Sequence, residues 1–143
     1  MEILVEFVLL SENFPIDEVN NQIGLPCSES IKKGDILHIG PNKDVLRVQT
    51  CSSLTYSTGY ISTINVEEPL QKIYELLLPK KEQITELVEK YSLIAKFCIV
   101  INLSENPIIG LSSEFIKLAS DIHAEIEFDT YIQGQETENE SAK

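Results

Sequence analysis

An α+β fold is predicted for this chain by three observations. Its apolar residues switch repeatedly between a period of two, which marks strands, and a period near 3.6, which marks helices. Turn residues separate several of these periodic segments, as at Gly24–Pro26 and Gly40–Pro41. The 143 residues suit one domain, and a chain of this size buries roughly 70% of its unfolded surface, enough for a core without disulfides.

The elements follow in order. Ile3, Val5, Phe7 and Leu9 share one face of a buried strand over 3–10. Phe14-Pro15 breaks the chain. Ile16, Val19 and Ile23 then give a short helix that Gly24 ends and Pro26 blocks. Residues 27–44 form a polar loop, the longest irregular stretch of the chain. Residues 45–51 alternate, and residues 54–64 are rich in Thr, Tyr and Ile. Both read as strands and are expected to pair antiparallel. Gly59 suggests a bulge or a close backbone approach.

Asn65 caps the next helix, with Glu68 placed as in a capping box. Leu70, Ile73, Tyr74 and Leu77 form its stripe, Pro79 stops or kinks it, and Ile84, Leu87, Val88 and Tyr91 form a second stripe. Residues 97–101, Phe-Cys-Ile-Val-Ile, are apolar without interruption, as in a central strand covered on both sides. Ser112 caps a last helix with Phe115, Leu118, Ala119 and Ile122 on its stripe. Residues 124–132 then alternate Ala124, Ile126, Phe128 and Thr130 with Glu125, Glu127, Asp129 and Tyr131, a half-buried strand with an acidic open face. Residues 133–143 are polar and acidic and read as a disordered tail, leaving residues 1–132 as the single domain.

The resulting order, β-α-β-β-α-β-α-β, begins with the ferredoxin-like β-α-β-β-α-β arrangement and extends it by a further helix and strand. An antiparallel or mixed sheet with helices mainly on one face is expected.

Charge excludes several classes of function. Asp and Glu number 23 against 11 Lys and Arg, a formal net charge of −12. Such a surface repels phosphate, which argues against nucleic acid and anionic membranes and favours a basic partner; solubility alone is the plainer account of the same charge. The three cysteines Cys27, Cys51 and Cys98 lack paired spacing and read as free thiols of a reducing compartment, with Cys98 in the core and Cys27 exposed. Residues 1–10 carry Glu2 and Glu6 where a signal peptide carries positive charge, and their apolar run is too short to span a bilayer, so a cytoplasmic protein is expected.

Several short motifs then align with one family. The pattern Phe14-x4-Val19-x3-Ile23-Gly24-Leu25-Pro26, the turn Lys33-Gly34-Asp35, the strand Leu54-Thr55-Tyr56-Ser57-Thr58-Gly59-Tyr60 and the terminal Phe128-Asp129-Thr130-Tyr131 resemble, in order and spacing, the bacterial domain-of-unknown-function 4279 family. The resemblance covers nearly the whole chain up to Ile132. Leu54 stands where that family usually has Trp, so no aromatic role is assigned to this position. The family has no assigned activity. Analogy with small acidic domains of this general type implies an immunity protein that neutralises a toxin.

Asp121, Glu125, Glu127 and Asp129 cluster in sequence, with His123 at the turn between them, but carboxylates on one strand face stand about 6.5–7 Å apart in a row and do not wrap an ion. A solvated face is the expected reading, with no metal and no cofactor. No G-x-S-x-G, P-loop or H-E-x-x-H occurs, and a Cys27–His38 pair would lack an orienting third group, so no catalytic residue is assigned. Tyr74 and Tyr91 read as core. Tyr56 and Tyr60 share one strand parity and read equally as core or surface.

Tyrosines beside carboxylates suit an interface with a basic protein. The chain is therefore expected to be a non-enzymatic protein-binding domain, an immunity protein against a basic toxin, using Glu125, Glu127, Asp129, Tyr131, Tyr56 and Tyr60. The alternative is a small-molecule or regulatory domain using the sheet face and the 27–44 loop.

Overall fold

A computed structural model describes residues 1–132; the expected tail, 133–143, lies outside the described residues. Eight strands and four helices follow in the order β1 (Glu2–Ser11), α1 (Ile16–Ile23), β2 (Glu29–Ile31), β3 (Ile36–Ile39), β4 (Val45–Val48), β5 (Ser52–Ser57), β6 (Ile61–Ser62), α2 (Glu67–Leu77), α3 (Lys81–Tyr91), β7 (Ile94–Leu103), α4 (Ser113–Asp121) and β8 (Ala124–Ile132). The fold is α+β. The main sheet runs β2-β5-β1-β7-β8, with β6 also paired to β1, and β3-β4 form a separate two-stranded hairpin.

The ferredoxin-like order is present in this sheet. β1-α1-β2-β5-α2/α3-β7 gives neighbours that are all antiparallel, with β1 between β5 and β7. The expected extension follows: α4 carries the chain to β8, which pairs parallel to β7. One strand needs reassignment. The partner expected for β5 was the segment 45–51; the structure gives that place to Glu29–Ile31, inside the expected loop. Val45–Val48 pairs instead with Ile36–Ile39. The 27–44 stretch is thus not irregular throughout. Two three- or four-residue strands interrupted by Lys-Gly-Asp are too short to show a clear period.

The core forms between one sheet face and the four helices. Ile3, Val5, Phe7 and Leu9 of β1 and Phe97, Ile99 and Ile101 of β7 are all fully buried, together with Leu54 and Tyr56 of β5. The helix stripes close over them: Ile16, Val19 and Ile23 from α1, Leu70, Ile73 and Leu77 from α2, Ile84 and Leu87 from α3, Phe115 and Leu118 from α4. Four aromatic rings run through this layer. Tyr56 stacks on Phe7 at 6.5 Å, Phe7 meets Phe97 at 5.0 Å, and Phe97 meets Phe115 edge-on at 4.8 Å between ring centres.

Local signals placed the ends. Gly24 closes α1 in a left-handed conformation with φ 74°, which a side chain would disfavour. Ser112 Oγ accepts from the Phe115 amide at 3.2 Å, the expected cap of α4. Asn65 Oδ1 accepts from the Glu67 amide at 3.1 Å, so α2 begins two residues after its capping side chain. Pro79 sits in a single 3₁₀ turn, Leu78–Lys80, that separates α2 from α3.

Gly59 marks a bulge. Ser57 pairs with Glu6 and Ile61 with Ile3, so Thr58, Gly59 and Tyr60 oppose only Leu4 and Val5. The Thr58 amide donates to the Val5 carbonyl at 3.0 Å, and the Val5 amide donates to Thr58 Oγ1 at 3.1 Å, so the ladder is kept across the extra residue. No helix among the described residues is long and apolar enough to cross a membrane.

Candidate protein-binding face

The helices gather on one side, and among the described residues no layer covers the other face of the sheet. The register decides what stands on it. Along β1 the outward residues are Glu2, Leu4, Glu6, Val8 and Leu10. Across to β7 these meet Asn102, Val100, Cys98, Lys96 and Ile94. Across from β7 to β8, Lys96 meets Glu125, Cys98 meets Glu127, Val100 meets Asp129 and Asn102 meets Tyr131. On the far side, Thr55 of β5 lies between Val8 and Glu29.

The face therefore has an apolar floor and a carboxylate rim. Leu4, Val8 and Leu10 are half-buried by their neighbours alone, and Val100 and Thr55 are buried. Glu2, Glu29, Glu125, Glu127 and Asp129 stand at the margins, and Glu6 stands between Leu4 and Val8. Among the outward strand residues of this face Lys96 is the one cation, and its Nζ lies 3.5 Å from Glu127 Oε2. The charges feel each other. Partial burial, and secondarily Glu29, raises the Glu6 carboxyl above its ordinary value of 4.5. Burial raises the Cys98 thiol; Lys96 opposes the shift, while Glu127 and Glu6 reinforce it. Cys98 Sγ lies 3.8 Å from Glu127 Oε2.

Several expectations are corrected here. Cys98 is not in the core. It sits half-exposed on the open face because strand parity puts it opposite Phe97 and Ile99. The apolar run 97–101 is thus covered by helices on one side only. All three cysteines are free and each is partly exposed, so Cys27 is not the sole accessible thiol; it packs partly against the core. Cys27 precedes β2, whereas His38 lies on β3 of the separate hairpin. His123 holds the turn into β8 in a left-handed conformation, φ 57°, with its amide donating to the Ser120 carbonyl at 3.1 Å.

The predicted binding residues separate into three groups. Glu125, Glu127 and Asp129 lie together, exposed, on the open face of β8, and the Tyr131 hydroxyl donates to Asp129 Oδ2 at 2.9 Å. Tyr60 is half-exposed beside the bulge, with β1 and β7 between it and β8. Tyr56 is no surface residue: it is fully buried, its hydroxyl donating to Asn20 Oδ1 at 2.8 Å. The bulge explains the split, because the extra residue between Tyr56 and Tyr60 breaks the parity that would have kept them on one face.

Glu29 and Lys96 carry no signal of their own in the sequence, and Glu6 and Cys98 are read there only as a terminal charge and a core thiol. They are distant along the chain, and only strand order unites them. Surface depressions of about 440, 460 and 470 Å³ also occur; the first and third are lined by charged residues already paired, such as Lys32 with Asp17 at 3.0 Å and Lys117 with Asp121 at 3.0 Å. Among the described residues no group of three or more His, Cys, Asp or Glu side chains is placed to hold a metal ion.

A family model described as "Domain of unknown function (DUF4279)" matches residues 1–133. No curated protein and no solved structure matches the chain. The chain belongs to the DUF4279 family.

Proposed function

We propose that this member of the DUF4279 family is a non-enzymatic binding domain that takes a basic protein on the open face of its sheet. The observation that carries the reading is the arrangement on that face: apolar Leu4, Val8 and Val100, with Glu6 set between Leu4 and Val8 and five further carboxylates from β1, β2 and β8 at the margins. An apolar centre supplies affinity once water is excluded, and a rim of one sign speeds encounter with a partner of the other sign. Partial burial, and secondarily the charge of Glu29, raises the Glu6 carboxyl, and an arriving cation would favour its ionised form.

The biological setting we infer is that of an immunity protein acting in the cytoplasm of a bacterium against a basic toxin. The support is the net charge, the absence of catalytic motifs from the sequence and the analogy of this small acidic chain with small acidic immunity proteins.

The test is co-expression with a basic toxin, candidates for which are sought among the proteins encoded beside this gene. The wild-type chain should restore growth, whereas Glu125→Lys/Glu127→Lys/Asp129→Lys should fold and fail to do so. Association of the purified pair should slow as salt rises, since the screening length falls from about 10 Å at 0.1 M to 3 Å at 1 M. Equal protection by the charge-reversed chain, or an association rate indifferent to salt, would refute the reading.

A further inference from the structure

We propose that the partner contributes an extended segment that adds to the outer edge of β8 as the next strand of the sheet, with Lys or Arg at alternate positions. The proposal rests on the binding reading above and specifies how the partner is held.

Three features of β8 converge on it. First, β8 ends the sheet: it pairs with β7 along its whole length and, among the described residues, with no strand on its other side. Along residues 124–130, alternate residues of this edge therefore turn backbone donors and acceptors towards an incoming strand. Second, the two faces of that edge differ. Glu125, Glu127 and Asp129 stand on the open face, while Phe128 and Ile132, 44% and 56% exposed, lie on the helix side beyond the reach of the helices. A strand laid alongside would place one set of side chains against carboxylates and the alternate set against Phe128 and Ile132. Third, the edge runs into a surface depression of about 460 Å³ in which apolar Leu103, Pro107, Ile109 and Ile132 meet polar Ser104, Glu105 and Asn106, with room for one side chain of the incoming segment.

The same charges argue against a second copy of this chain as the occupant. Continuing the sheet with another β8 would put carboxylates opposite carboxylates at about 4.5–5.5 Å on the open face, a destabilising arrangement. The edge is thus closed to its own kind and open to a segment of alternating basic and apolar residues.

Three capped peptides as long as β8 test this on the full chain: one alternating Lys and Val, one of the same composition with all Lys before all Val, and the alternating peptide N-methylated at two adjacent central residues, which removes one N–H from each edge. The alternating peptide should bind, and β8 amides should gain protection from hydrogen exchange. The methylated and block peptides should bind about tenfold more weakly or worse, the equivalent of about one net backbone hydrogen bond. If all three bind alike and Glu125→Lys/Glu127→Lys weakens all three, strand addition is overturned while the acidic face keeps its role. If none binds at low salt, or if charge reversal changes nothing, both this proposal and the reading beneath it fail.

Discussion

The central strands and the β3-β4 hairpin are built from similar residues and have opposite fates. β1 and β7 bury Ile3, Val5, Phe7, Leu9, Phe97, Ile99 and Ile101 without remainder. The hairpin leaves Ile36, Val45, Leu46 and Val48 between 51% and 61% exposed. Both are rich in aliphatic residues and both include an antiparallel pair, β1 with β7 and β3 with β4. The difference is the second layer: α1, α2, α3 and α4 all close on the main sheet, and none adds its stripe to the hairpin. A strand's pattern specifies that it will be a strand, but what its apolar side rests on is settled elsewhere in the chain.

The sharpest way to break this comparison is Ile99→Ala. A fully buried isoleucine between β1 and β8 should cost about 2–5 kcal/mol in denaturant unfolding, because the helices above cannot all collapse into the void. A loss below about 1 kcal/mol would mean that the central layer is as loosely held as the hairpin.

Tyr56→Phe comes next. It keeps the ring against Phe7 and removes the hydroxyl that donates to Asn20, so a loss of about 1 kcal/mol is expected, and Asn20→Ala in that background should add little if the pair acts as a unit.

Glu6→Gln probes the open face of the same central strand. The Glu6 carboxyl is raised above 4.5 in the fold, so its protonated form is favoured there; the stability this confers is fully present below about 4.5 and is lost as pH rises through the folded value. The Gln variant should therefore melt higher than wild type at neutral pH, with the gap closing as pH falls towards 4.5. A gap that persists in acid would assign it to packing and not to charge.

Leu46→Ser in the hairpin should be the smallest effect, within about 0.5 kcal/mol, since the side chain is 61% exposed. A loss above about 1.5 kcal/mol would show that the hairpin's apolar surface is covered in solution.

Much of the frame was legible in the residues. Alternation in 3–10 and 124–132, the 3.6 period of the helices, Gly24 after α1, Ser112 before α4 and the bulge at Gly59 each rest on local stereochemistry, which neighbouring residues settle among themselves. The acidic row of β8 was legible for the same reason. The misreadings share one cause. The sequence placed Val45–Val48 beside β5, Cys98 in the core and Tyr56 with Tyr60, and each judgement needed to know which strand lies next to which, or on which side the helices fall. By itself, then, the sequence determined the helical segments, the long strands β1, β7 and β8, the α+β class and the sign of the surface charge, but not the short strands β2 and β3. Tertiary structure alone decided that Glu29 reaches the face of Glu6, that Lys96 and Cys98 join Glu125 and Glu127, and that β8 stands at an edge. Strand pairing and sheet order are set by contacts between residues far apart in the chain, whose cost in loop closure and gain in burial are balanced only over the whole molecule.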